Sequence, residues 1–288
     1  MLDFYGEPCG TLKANLHTHT TRSDGQYTPD EVVDLYRRNG YGALALTDHY
    51  VVSRVSELDG GDMVLLNGLE MHPQGPRGTR WHILALGIPE DFRHIPELPA
   101  REAIDSVRDA GGICLAAHPY WCGHTAAEVM GMDGFLGLEV YNTSTRYIGK
   151  AYNMQIWDEM LDAGARYAAI AVDDTHRERD FGKGWIMAAC REKTPGEALR
   201  AIRDGRFYAS QGPEFTALRF ANGIFEAEFS PCVEAVVLTN GPGGFGLVDG
   251  EYRRISFDAG SLKPGAYLRC QIRDAAGRYA WSNPVYLS

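Results

Sequence analysis

Six of the nine histidines stand beside carboxylates at the ends of short apolar runs. His17 and His19 share the segment NLHTHT, and a spacing of two puts both imidazoles on one face of an extended chain, as chelation of one ion requires. Asp24 follows in TRSDG, a tight turn able to present a carboxylate. His49 stands in TDH, Glu70 ends the next apolar run, and His118 ends another in AAHP. Asn142 closes EVYN, and Asp174 and His176 in VDDTH are again spaced by two. Mixed imidazole and carboxylate donors suit Zn, Mn or Fe. The six cysteines have no C-x-x-C pair, lie partly in apolar runs and suggest reduced thiols rather than a thiolate site or disulfides.

These residues need a frame that brings them together. From residue 12 to about 204, strand-like runs alternate with amphipathic stretches: Leu12–His17, Ala43–Thr47, Val64–Leu69, Ile113–Ala117, Leu136–Val140, Ala168–Val172 and Trp185–Ala189. TPDEVVDLYRRNG starts with the cap Thr28, has Pro29 at its first helical position and Glu31 three residues past the cap, and stops at Gly40. PAREAIDSVRDAGG, KAYNMQIWDEMLDAG and TPGEALRAIRDG read the same way. Such alternation predicts an α/β domain with a parallel sheet closed into a barrel, or an open doubly wound sheet. In a barrel the strand ends converge on one face, so the His, Asp and Glu residues would meet there. Trp81–Leu86 follows the strand ending at Glu70 too closely for a helical crossover. It is read as an antiparallel return that starts beside Glu70, which brings His82 to the same place.

After Gly205 the texture changes to short strands separated by GP, NG, PGG and KPG turns, without helical period. This predicts an all-β, sandwich-like domain over 206–288 after a hydrolase domain over 1–205. Trp281 is read as a core residue of that sandwich, with an anchor against the barrel as the alternative. The formal charge of -10 and the lack of any long Lys/Arg run argue against nucleic-acid or anionic-membrane partners. No stretch of 18 apolar residues or secretory leader is visible, which points to the cytoplasm. The oligomeric state is open.

HTHTTRSDG, TDH, the isolated Glu70, AAHP and DDTH, in this order, resemble the motifs of the PHP (polymerase and histidinol phosphatase) superfamily of metal-dependent hydrolases over about 200 residues. GRFYASQGPEF and RDAAGRYAWSNPVYL resemble the tail of a subgroup related to carbaryl esterases, in which a small β-domain follows. The resemblance implies a distorted seven-stranded (β/α) barrel binding two or three divalent Zn, Mn or Fe ions. It implies one ion on His17, His19, Glu70 and Asp174, a second on Glu70, His82 and His118, and a third on Asp24, His49 and His176. Glu70 would bridge, and Glu70, His118, Asp174 and His176 are the candidate catalytic residues. Asp48 and Asp173 should point to the other side of their strands. His72, His94 and His124 are assigned to loops away from metal. Arg177, Arg146 and Lys183 are candidates to grip an anionic substrate, and Asn142 to contact substrate or cap its strand.

The expected activity is that of a phosphoesterase. Bridged divalent ions lower the pKa of water, supplying hydroxide, and clamp phosphoryl oxygens during in-line attack. Three carboxylate ligands against three divalent ions leave a local positive excess, so a small phosphate ester is the expected substrate. The alternatives are a carboxylic ester or amide hydrolase on the same cluster, and a non-catalytic metal-binding interaction module.

Overall fold

The computed structural model describes residues 1–287. Thr28 caps the helix Pro29–Arg38 in a complete capping box with Glu31, and the helix buries Val32, Val33 and Tyr36 on one side. The helices Ala100–Asp109, Met154–Asp162 and Pro195–Arg203 form where amphipathic spacing places them. No helix among the described residues is long and apolar enough to cross a membrane.

The short strand β1 (Leu2–Phe4) turns into β2 (Glu7–Asn15), which is followed by β3 (Ala43–Leu46) and β4 (Val64–Met71) in parallel register. β5 (Ile83–Leu86) runs antiparallel to β4 and to β6 (Ile113–Ala116), with Glu70 opposite Leu84 and Met71 opposite Ile83. This return starts beside Glu70, as its short connection requires. The parallel ladder resumes through β7 (Phe135–Asn142) and β8 (Ala168–Val172). A parallel bridge between Thr18 and Thr175 then joins the ends of β2 and β8. Leu12, Leu66, Leu84, Leu115 and Ile170, from β2, β4, β5, β6 and β8, share one buried apolar cluster.

β9 (Trp185–Cys190) departs from expectation. It runs antiparallel to β2, from Gly10 opposite Cys190 to Ala14 opposite Ile186, not as a further parallel strand. The link from β8 holds only the short turn Glu178–Asp180, and a parallel neighbour needs a longer crossover, usually a helix.

β10 (Phe207–Ser210) pairs with β9, and β11 (Phe215–Ala221), β12 (Ile224–Cys232), β13 (Glu234–Leu238), β14 (Gly244–Leu247) and β15 (Tyr252–Asp258) follow. β16 (Tyr267–Arg273), β17 (Tyr279–Ser282) and the two-residue β18 (Val285–Tyr286) end the chain. One layer runs β1-β11-β12-β15 and the other β10-β17-β16-β13-β14, with Leu218, Phe225, Val237, Leu268 and Ile272 clustered between them. β1 therefore lies in a layer built by the C-terminal segment, although a boundary at 205 assigns it to the first unit.

Trp281 is not in the core between these layers. Along β17 Ala280 faces that core, so the next residue must face away from it. Trp281, fully buried, belongs to the cluster that holds Trp157 of the helix Met154–Asp162; its Nε1–H points to Met154 Sδ of that helix at 3.3 Å and to Gln271 Oε1 at 3.1 Å. Beside it the buried Arg269 grips Asp158 of the same helix through two bonds of 2.8 and 2.7 Å.

Candidate metal centre

The strand ends carry the donors. His17 and His19 follow β2, His49 follows β3, Glu70 is the penultimate residue of β4, His82 precedes β5, His118 follows β6, and Asp174 and His176 follow β8. Asp24 arrives on the turn after His19. A Cβ on Gly25 would lie 2.5 Å from the His19 carbonyl, so only glycine lets this turn pack so closely. His118 and Asp174 hold left-handed backbone at φ 26 and 51, a strained conformation for non-glycine residues that concentrates at functional sites.

The donor atoms meet in three sets. His17 Nε2 lies 3.0 Å from His19 Nε2, 3.4 Å from Glu70 Oε2 and 3.3 Å from Asp174 Oδ1. His19 Nε2 lies 3.5 and 3.1 Å from the same two oxygens. Donors around a tetrahedral zinc at about 2.0–2.1 Å stand about 3.3–3.4 Å apart, close to this spacing. The other oxygen, Glu70 Oε1, lies 2.7 Å from His82 Nδ1 and 3.4 Å from His118 Nε2. Asp24 Oδ1 lies 3.4 Å from both His49 Nε2 and His176 Nε2.

Chemistry at these atoms fits cations. Glu70 Oε2 and Asp174 Oδ1 are buried and have no hydrogen-bond partner among the described residues, a state costly for a carboxylate unless a cation takes its place. Burial alone would push the Glu70 carboxyl up, but His17, His82 and His118 outweigh it and hold it well below the usual range. Asp174 is held down against its burial by His17, His19 and His176. Burial lowers His82 to about 4, leaving its imidazole neutral and able to ligate. Burial also pulls on His49 and His176, but Asp24 with Glu70, and Asp24 with Asp174, raise them to about 9.

Residues behind the donors fix their orientation. The buried Glu139 accepts from His17 Nδ1 at 2.6 Å, from the His118 backbone N–H at 2.8 Å and from Asn142 Nδ2 at 2.7 Å. Sequence reasoning missed it, although a lone carboxylate in the apolar strand FLGLEVYN is a usable signal. Asn142 is fully buried, gives Nδ2 to Glu139 and Asp174 and accepts at Oδ1 from the Thr145 backbone N–H at 3.1 Å, the contact expected of strand-end capping. Asp48 turns to Thr20 and Ser23, and Asp173 to the amides of Gly182, Lys183 and Gly184. His72, assigned to a loop away from metal, has its Nε2 3.5 Å from Glu70 Oε2. The motif EMH has the same spacing of two that singles out His17 and His19. His124 instead stacks on Trp81, and His94 on Tyr50.

A cleft of about 440 Å³ opens over Glu70, His118, Asp174 and His176, walled by Trp121, Tyr147, Arg177 and Arg179. Arg146 and Lys183 do not line it. Arg146 donates to the carbonyls of Thr143 and Arg179, and Lys183 Nζ approaches the carbonyl of Phe181. Arg179, not singled out from sequence, lines the cleft beside Arg177.

A two-domain protein from Bacteroides vulgatus, containing a predicted PHP-like metal-dependent phosphoesterase, superposes with a TM-score of 0.58. It is 17% identical, and the match covers 95% of both chains. The chain has the PHP fold. Its motifs, set at the strand ends of that fold, fit the PHP superfamily. A lesion-specific endonuclease from Pyrococcus furiosus superposes at a TM-score of 0.50 and 14% identity, over 68% of this chain and 56% of that one. In sequence, the chain is 37% identical over 78 residues to a 3',5'-nucleoside bisphosphate phosphatase of Chromobacterium violaceum, which spans 26% of this chain and 27% of that protein. It is 27% identical over 154 residues to an uncharacterized protein of Methanocaldococcus jannaschii, 47% of this chain and 84% of that one. No family model matches the chain.

Proposed function

We propose that the chain is a metal-dependent phosphoesterase acting on a small phosphate ester. In this reading β2 to β8 form the distorted seven-stranded barrel of a hydrolase unit, 1–205, and 206–288 a β-sandwich-like unit docked on it. The observation that carries the proposal is Glu70, whose two buried oxygens face two different sets of nitrogen donors.

His17, His19, Glu70 and Asp174 would hold one ion, Glu70, His82 and His118 a second, and Asp24, His49 and His176 a third. Divalent Zn, Mn or Fe bound there would acidify water and neutralise phosphoryl charge. Glu139 holds the His17 ring with Nε2 toward the donors. Arg177 and Arg179 stand at the cleft wall, where a guanidinium can pair with phosphate oxygens in a fork. The fold does not separate small esters from nucleic acid, because the Pyrococcus protein that superposes on it is an endonuclease. The preference for a small ester rests on the net charge of -10.

The test is turnover of p-nitrophenyl phosphate, bis-p-nitrophenyl phosphate, p-nitrophenyl acetate and a short oligonucleotide with added Mn. Hydrolysis of phosphate esters above acetate and oligonucleotide supports the proposal. Hydrolysis of acetate alone would make the chain a carboxylic esterase, and bound metal without turnover an interaction module.

A further inference from the structure

Three buried atoms beside the metal centre face one another without a hydrogen bond: His49 Nδ1, Glu70 Oε2 and His72 Nε2. His49 Nδ1 stands 2.8 Å and His72 Nε2 3.5 Å from Glu70 Oε2, and all three lie within 4.8 Å of one another. The His72 ring is fixed from behind, stacked on His82 with centroids 3.8 Å apart. It also lines a second cavity of about 780 Å³ with Tyr50 and Arg80. Two imidazoles and a carboxylate make a donor set of the kind that holds zinc or iron.

His49 belongs to two sets at once, since its Nε2 lies 3.4 Å from Asp24. A neutral imidazole offers one lone pair to a metal, because its other nitrogen carries the proton. We propose that His49, Glu70 and His72 form a further cation position, an alternative to the one at Asp24. His49 then decides which of the two is filled, and His72, in the loop just after β4, is a ligand of the second. This rests on the metal-centre reading above.

Cobalt(II) binding tests it without reference to turnover, by elemental analysis after gel filtration and by chelator competition. Asp24→Asn removes the first alternative and leaves the second. Asp24→Asn combined with His72→Phe removes both, while Phe keeps a ring against His82. The expected result is that Asp24→Asn retains one cobalt more than the double variant. His72→Gln in place of His72→Phe, a control for folding, must give the same loss. Equal cobalt number and affinity in Asp24→Asn and both double variants overturns the proposal. No cobalt in any of these proteins, the unsubstituted chain included, overturns the metal centre itself and this inference with it.

Discussion

His17 Nδ1, just beyond β2, and Glu139 Oε1, within β7, stand 2.6 Å apart, and both residues are fully buried. A carboxylate that takes the Nδ1 proton fixes the tautomer and leaves Nε2 as the donor. Glu139→Gln should therefore weaken metal binding about 10- to 100-fold without removing a ligand. Chelator competition measures this, and unchanged affinity would make Glu139 a packing residue.

Arg177→Ala should leave the metal content intact and lower kcat/KM for phosphate esters. One lost charged contact corresponds to about 1.5–3 kcal/mol, or roughly 10- to 150-fold. Arg146→Ala and Lys183→Ala should have little effect, because neither side chain lines the cleft. Equal losses at all three positions would point to long-range charge instead of contact.

Metal uptake at Asp24, His49 and His176 should depend on pH. Without metal, both imidazoles are raised to about 9, so at neutral pH both are protonated. That protonation helps the metal-free fold below the ordinary histidine value, and the benefit is lost as pH rises through about 9. Metal must displace the protons, so affinity falls as pH falls below that value. Calorimetry in buffers of different ionisation enthalpy should report proton release at pH 7, and buffer-independent heats would contradict it.

Asp158→Ala should destabilise the chain by about 3–5 kcal/mol, since it leaves Arg269 buried without its carboxylate. Replacing both residues by apolar ones of similar size should cost less. Urea denaturation distinguishes the two, and equal costs would mean that packing on Trp157 outweighs the ion pair.

Much of this arrangement can be read from the sequence where local chemistry and strand periodicity agree. HTH, TDH, AAHP and VDDTH each close an apolar run, and a parallel ladder leaves such ends on one side. His82 could be placed because the link from Glu70 is too short for a crossover. Glu139 was harder, since it lies on a strand whose partners come from distant parts of the chain, and the approach of the loop residue His72 to Glu70 depends on the same packing. The direction of β9 and the outward face of Trp281 depend on register across the sheet, which local pattern does not set. For Asn142 the sequence leaves substrate contact and strand-end capping open, because a polar residue at a strand end can face solvent or support a neighbour, and only packing decides.

The metal content and activity of Glu70→Gln test the central claim most directly. A neutral amide cannot bridge two cations as a carboxylate does, so the variant should lose bound metal together with phosphate-ester turnover. Wild-type metal content together with wild-type rates would contradict the account at its centre.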